Sequence, residues 1–168
     1  MTVTAVRKDP SSRTMTLEAE FDASPERVWQ LWADPRQLER WWGPPTYPAT
    51  VDAHDLRPGG HVEYHMTGPE GDQPRGFWEV DDVQPPNRLV FRDGFAKEDG
   101  TPNTELPMTI LRVTIQQIDG GKTRMTIENE FPSVEAMEQL AAMGTEEGQT
   151  QALGQIDAIL AEEREQTR

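Results

Sequence analysis

His61, Glu63 and His65 are side chains capable of metal binding or proton transfer, and their two-residue spacing places them on one face of an extended segment. That spacing argues against a shared ion. Residues two apart on a strand are separated by ~6.6 Å and those four apart by ~13 Å, whereas imidazole nitrogens bind zinc at ~2 Å. Val62, Tyr64 and Met66 alternate with them as the more apolar face. The histidines are therefore expected in solvent, and no metal site is expected. Glu79, Arg92 and Asp93 are charged residues within otherwise apolar segments. Glu79 and Arg92 suit a cross-strand ion pair, while Tyr64 with Glu79 or Asp93 suits an acid and base pair. No Ser/His/Asp triad, phosphate-cradling loop or dinucleotide fingerprint occurs, and Gly120-Gly121 reads as a hairpin turn.

A second set of residues suits ligand binding. Pockets are mostly aromatic and apolar with a few polar anchors. Trp41 and Trp42, beside the Gly43-Pro44-Pro45 break, fit such a wall. Tyr64, Met66, Trp78, Phe91, Phe95, Met125 and Ile127 fall on strand faces that can point inward, and Met143, Gly148, Gln149 and Ala152 oppose them from a helix. Flexible Met side chains adapt to irregular space. The same residues serve equally well as core, and Trp29 and Trp32 read as core in preference to a ligand wall.

The elements that must position these groups follow from periodicity. Met15, Leu17, Ala19 and Phe21 alternate with polar residues, the pattern of a half-buried strand. Ser24-Pro25 and Asp34-Pro35 each supply an N-cap and a preorganised first helical residue, predicting two short helices that end at Gly43-Pro44-Pro45. Segments 51–56, 61–67, 76–83, 88–95, 108–118 and 123–131 then read as strands joined by Gly/Pro/Asn/Asp turns, with a longer polar loop over 96–107. Met1 to Pro10 reads as a polar arm. Ser133 to Glu163 carries apolar residues at helical spacing on both sides of Gly144 and Gly148. At ~1.5 Å per residue a helix of roughly thirty residues would span about 45 Å, longer than a small domain is wide, so a bend or two helices is expected near 144–148. A meandering antiparallel sheet needs cover for its apolar face, and only this last segment is long enough to supply it. The expected fold class is α+β, a curved antiparallel sheet gripping the C-terminal helix, in a single domain over 1–168 with its core at about 12–164.

Composition narrows the function. Thirty acidic against sixteen basic residues give a formal charge of −14, which disfavours nucleic acid and anionic membranes. The absence of cysteine excludes disulfides, a thiolate nucleophile and Cys-ligated zinc. Neither a signal-peptide core nor a membrane-length apolar run is present, so a cytoplasmic location is expected.

Several motifs, in order, resemble one family. Phe21-Asp22-Ala23-Ser24-Pro25-Glu26-Arg27-Val28-Trp29, Trp41-Trp42-Gly43-Pro44 and Asp55-Leu56-Arg57-Pro58-Gly59-Gly60 carry the likeness first. Pro85-Pro86-Asn87-Arg88-Leu89, Gly121-Lys122-Thr123 and Met143-Gly144-Thr145-Glu146-Glu147-Gly148 with Leu153 and Ile156 continue it. Together they resemble the family named for the activator of the Hsp90 ATPase, within the START-like, or Bet v 1-like, superfamily. The resemblance implies a helix-grip fold with an internal cavity. It also implies a choice among lipid and sterol carriers, polyketide cyclases and aromatases, plant ligand binders and co-chaperone domains, because fold alone does not select an activity. Members often place a Trp after the glycine of the final-helix motif, whereas Gln149 follows Gly148 here.

The leading expectation is a binder of a small hydrophobic molecule (lipid, sterol or polyketide-like) that needs no cofactor, with homodimerisation left open. The alternatives are a co-chaperone-like ATPase activator of an Hsp90-type chaperone or a stress-related protein, and a polyketide cyclase/aromatase-like or hydrolase-like enzyme using Tyr64 with Glu79 or Asp93.

Overall fold

A computed structural model describes residues 3–166, with side chains 163–166 left aside. Met1 and Thr2 of the expected arm, and residues 167–168 of the expected domain, lie outside the described residues. Among the described residues, eight strands form one antiparallel sheet: β1 Val3–Asp9, β2 Thr14–Phe21, β3 Ala49–His54, β4 His61–Met66, β5 Arg75–Gln84, β6 Arg88–Ala96, β7 Thr109–Ile118 and β8 Lys122–Glu130. Their order is β1-β2-β8-β7-β6-β5-β4-β3. Every neighbouring pair is a sequential hairpin except β2 with β8. After β2 the chain crosses to the far edge through helices α1 (Pro25–Ala33) and α2 (Pro35–Trp41).

The caps form as their residue types dictate. Ser24 accepts from the Arg27 amide and Asp34 from the Arg36 amide, each just ahead of a proline that supplies the first helical residue. One expectation is corrected: Val3–Asp9 is not an arm but an edge strand, paired from Asp9↔Thr14 to Val3↔Ala19. An edge strand has one ladder partner and tolerates charge on its open side, so Arg7, Lys8 and Asp9 mask its period. Only Val3 of its residues is buried.

The C-terminal segment is α3 (Val134–Ala142), α4 (Thr145–Leu153) and α5 (Ile156–Gln166). The first break falls where expected, at Gly144, whose φ of +87° is the left-handed conformation that favours glycine. A second, unforeseen break falls at 154–155. There the Gln155 side chain donates to the Gly43 carbonyl at 2.7 Å, tying the helix joint to the end of α2.

The concave face of the sheet, α1, α2 and the C-terminal helices share one core. Ala152, Leu153, Ile156, Ile159 and Leu160 are buried in it, so the α4–α5 portion fills the grip. Trp32 sits at its centre. Its ring centroid lies 4.7 Å from Trp41, 5.9 Å from Trp78 and 6.1 Å from Phe91, and its Nε1–H donates to the Met125 sulfur at 3.2 Å. Trp78 stacks on Phe91 at 3.9 Å. Trp32 is wholly buried and bridges helix to sheet, so Trp32→Ala is expected to lower unfolding free energy by about 3–5 kcal/mol in urea denaturation. A loss under about 1 kcal/mol would remove it as the keystone.

Candidate functional site

Between the sheet and α4 lies a pocket of about 590 Å³. The sheet contributes Tyr64 and Met66 from β4, Asp93 and Phe95 from β6, Leu111 from β7 and Ile127 from β8. Trp41, Trp42, Pro44 and Tyr47 approach from the end of α2 and the turn after it, and Asp72 and Pro74 from the β4–β5 loop. The helical side carries Met143, Gly144, Thr145, Gly148, Gln149, Ala152 and Leu153. Met143 is 53% exposed, which puts it at the mouth. Trp78, Phe91 and Met125 do not line this space. Each is completely buried, and they form the packed layer behind it.

The polar floor of the pocket is a Tyr64–Asp93 pair spanning three strands. Tyr64 stands on β4 opposite Gly76 of β5, and Asp93 stands on β6 opposite Trp78 of β5. A side chain at position 76 would block the path, because a Cβ there would lie 2.3 Å from the Tyr64 hydroxyl oxygen. Without one, the tyrosine ring crosses the central strand and its hydroxyl donates to Asp93 Oδ1 at 2.8 Å. Asp93 is half-buried, and its exposed part faces the pocket. Among the described residues no Lys, Arg or His pairs with it. Burial therefore pushes its carboxyl up to about 7, although the Tyr64 hydrogen bond holds it down in part. Tyr64 is raised well above the usual tyrosine value, first by burial and then by the neighbouring carboxylate charge. Trp42 Nε1 has no hydrogen-bond partner but lies near enough to the hydroxyl to offset a little of that rise.

Glu79 is not a second acid for this site. It points out of the opposite face of the sheet and pairs with Arg92 at 2.9 Å, in the register that makes them cross-strand neighbours. The histidine face also points outward: His61 and Glu63 are exposed, and His65 Nδ1 lies 2.7 Å from Asp52. Among the described residues no group of three or more His, Asp or Glu side chains is placed to hold a metal ion.

Gln149 is anchored from β8. Asn129 is fully buried and donates from Nδ2 to the Met15 carbonyl and to Gln149 Oε1, each at 3.1 Å. Gln149 Nε2 returns a hydrogen bond to Asn129 Oδ1 at 2.8 Å. A reciprocal amide pair thus joins α4 to β8 beside the pocket. Sequence reading missed Asn129 and the loop residues Tyr47 and Asp72, whose 2.9 Å hydrogen bond forms part of the rim. An Asn within the alternating apolar strand 123–131 was the one available signal.

Two outcomes are expected. Gln149→Ala leaves a buried Asn129 with unmet hydrogen bonds, costing about 1–3 kcal/mol, whereas adding Asn129→Leu should recover part of that loss in urea denaturation. The second concerns pH. The folded-state value for Asp93, about 7, lies above its ordinary 3.8, so the native state holds the proton more tightly and stability falls as pH rises across that interval. Asp93→Asn should lack this decline, and the two proteins' urea midpoints compared along a pH series will show it. Parallel curves would mean that Asp93 is not raised.

Comparison with known proteins agrees with this architecture. Residues 22–161 match the family described as activator of Hsp90 ATPase homolog 1-like protein. The crystal structure of a Mycobacterium smegmatis protein is 50% identical, with 94% of this chain covering 96% of that one at a TM-score of 0.87. The solution structure of an Arthrobacter aurescens protein is 48% identical, with 96% of this chain covering 93% of that one at a TM-score of 0.92. A protein of the dynemicin biosynthetic locus is 21% identical over 89% of this chain and 47% of that one, at a TM-score of 0.62, a likeness of fold alone. No curated protein matches the chain. With the helix-grip architecture and a match over most of its length, the chain belongs to the activator of Hsp90 ATPase homolog 1-like family.

Proposed function

We propose that this protein binds a small, largely apolar molecule between its sheet and α4. The observation that carries the reading is the pocket itself, about 590 Å³ and walled by Trp41, Trp42, Phe95, Leu111 and Ile127, with the Asp93 carboxyl in its floor and Asp72 at its rim. Ligand sites typically run to about 300–1,000 Å³, apolar with few polar anchors. The walls are held by a stacked and edge-on aromatic layer, so the space is preformed and ligand binding does not have to order it. Entry is past Met143 and the Gly144 joint, where the helical cover changes direction. These residues build a concavity rather than a flat apolar face, which ranks a small molecule ahead of an Hsp90-type chaperone as the partner. No helix among the described residues is long and apolar enough to cross a membrane.

Gly148 provides a test that spares the fold. It lies inside α4, lines the pocket, and has open space where a Cβ would go. Gly148→Leu fills that space while improving helix propensity. Titration with the neutral fluorescent probe N-phenyl-naphthylamine should saturate on the wild type and weaken at least about tenfold in Gly148→Leu, a loss of about 1.4 kcal/mol, with thermal stability held or raised. Equal binding to both proteins would rule the pocket out.

A further inference from the structure

We infer that the pocket selects a molecule bearing a protonated amine on an apolar body, with the ammonium group paired to Asp93. This rests on the binding reading above and adds the ligand's charge.

The first support is how the sheet treats its other carboxylates. On the outer face Glu79 pairs with Arg92 at 2.9 Å, Glu128 with Arg112 at 2.8 Å, and Asp52 with His65 at 2.7 Å. Asp93 points inward, is half-buried with its open part toward the pocket, and has one neutral hydrogen bond from Tyr64 with no cation beside it among the described residues. A desolvated carboxylate is costly unless a countercharge meets it. The pocket is where that countercharge can arrive, because the open part of Asp93 faces it.

The second support is the sign of everything else around that space. The residues that line it include two acids, Asp72 and Asp93, and no Lys, Arg or His. Asp72 sits at the rim, where it accepts from the Tyr47 hydroxyl at 2.9 Å. Tyr64 from β4 donates to Asp93, Thr109 stands opposite it on β7, and Gln149 and Thr145 line the α4 side of the same pocket. None of these can neutralise it. A fatty-acid carboxylate entering this pocket would meet like charge and no cationic partner, only neutral donors such as Trp42 Nε1, and an uncharged sterol would leave Asp93 as it stands.

The third support is the wall. Trp41, Trp42, Tyr47, Tyr64 and Phe95 present aromatic rings to the same volume. Aromatic faces attract ammonium groups, most strongly where water is excluded. The chain's formal charge of −14 adds a long-range field that draws cations in and repels anions.

The test uses a matched naphthalene series, the methylammonium, methanol and carboxylate derivatives, titrated calorimetrically into the whole protein at about pH 8, where Asp93 is ionised. The amine should bind roughly tenfold more tightly than the alcohol, and the carboxylate more weakly than either. The readout is the amine-to-alcohol affinity ratio within each protein, which should fall to about one in Asp93→Asn. In wild type the ratio should also collapse by about pH 5, where the ammonium persists and Asp93 is protonated, so the outcome does not depend on the variant folding. Alcohol binding as tight as amine binding in wild type, or a ratio that survives in Asp93→Asn, would overturn the inference while leaving the pocket reading intact. If none of the three binds, both fall.

Discussion

The ladder between β2 and β8, from Thr14↔Glu130 to Phe21↔Thr123, is the constraint on which the remaining structure depends. It joins the first long strand to the last. Because the remaining strands form a meander, this pairing places β3 at the opposite edge and obliges the chain to cross the concave face immediately after Phe21. α1 and α2 make that crossing, which brings Trp32, Trp41 and Trp42 over the middle of the sheet. The chain then leaves β8, third from the β1 edge, and its final helices lie across the surface that remains uncovered. The pocket is the space between these two covers. It follows from topology, and its chemistry comes from the few polar residues that topology turns inward.

Much of this was legible because strands and caps are local. Alternation identified β2 and the inward set Val62, Tyr64 and Met66, with the histidines outside, and the Ser24 and Asp34 caps announced α1 and α2. Gly144 announced the first helical break through the backbone conformation it allows. Three features were hidden because they depend on distant partners. The β1 strand is defined by its ladder with β2 rather than by its own pattern. The break at 154–155 has its counterpart in the Gly43 carbonyl, more than a hundred residues earlier in the chain. Tyr47 and Asp72 meet only because two loops converge.

The choice between Glu79 and Asp93 illustrates the boundary. The residue types left both open, although strand parity separates them in the structure: Glu79 follows inward Trp78, and Asp93 lies two residues after inward Phe91. Parity could not say whether a cation waited inside. Arg92 is adjacent to Asp93 in sequence, yet it projects to the other face and pairs with Glu79 and Asp81. Gln149 poses a similar problem. In isolation its amide looks like a lost apolar cap, whereas with buried Asn129 it becomes a polar latch between helix and sheet.

Gly76 has a wider consequence. Tyr64 and Asp93 communicate across β5 because one position on that strand carries hydrogen instead of carbon. A single methyl group there would separate phenol from carboxyl without altering the fold's topology or removing either functional group. Whether the pocket floor behaves as one proton-sharing unit or as two independent polar groups is therefore set by one small residue.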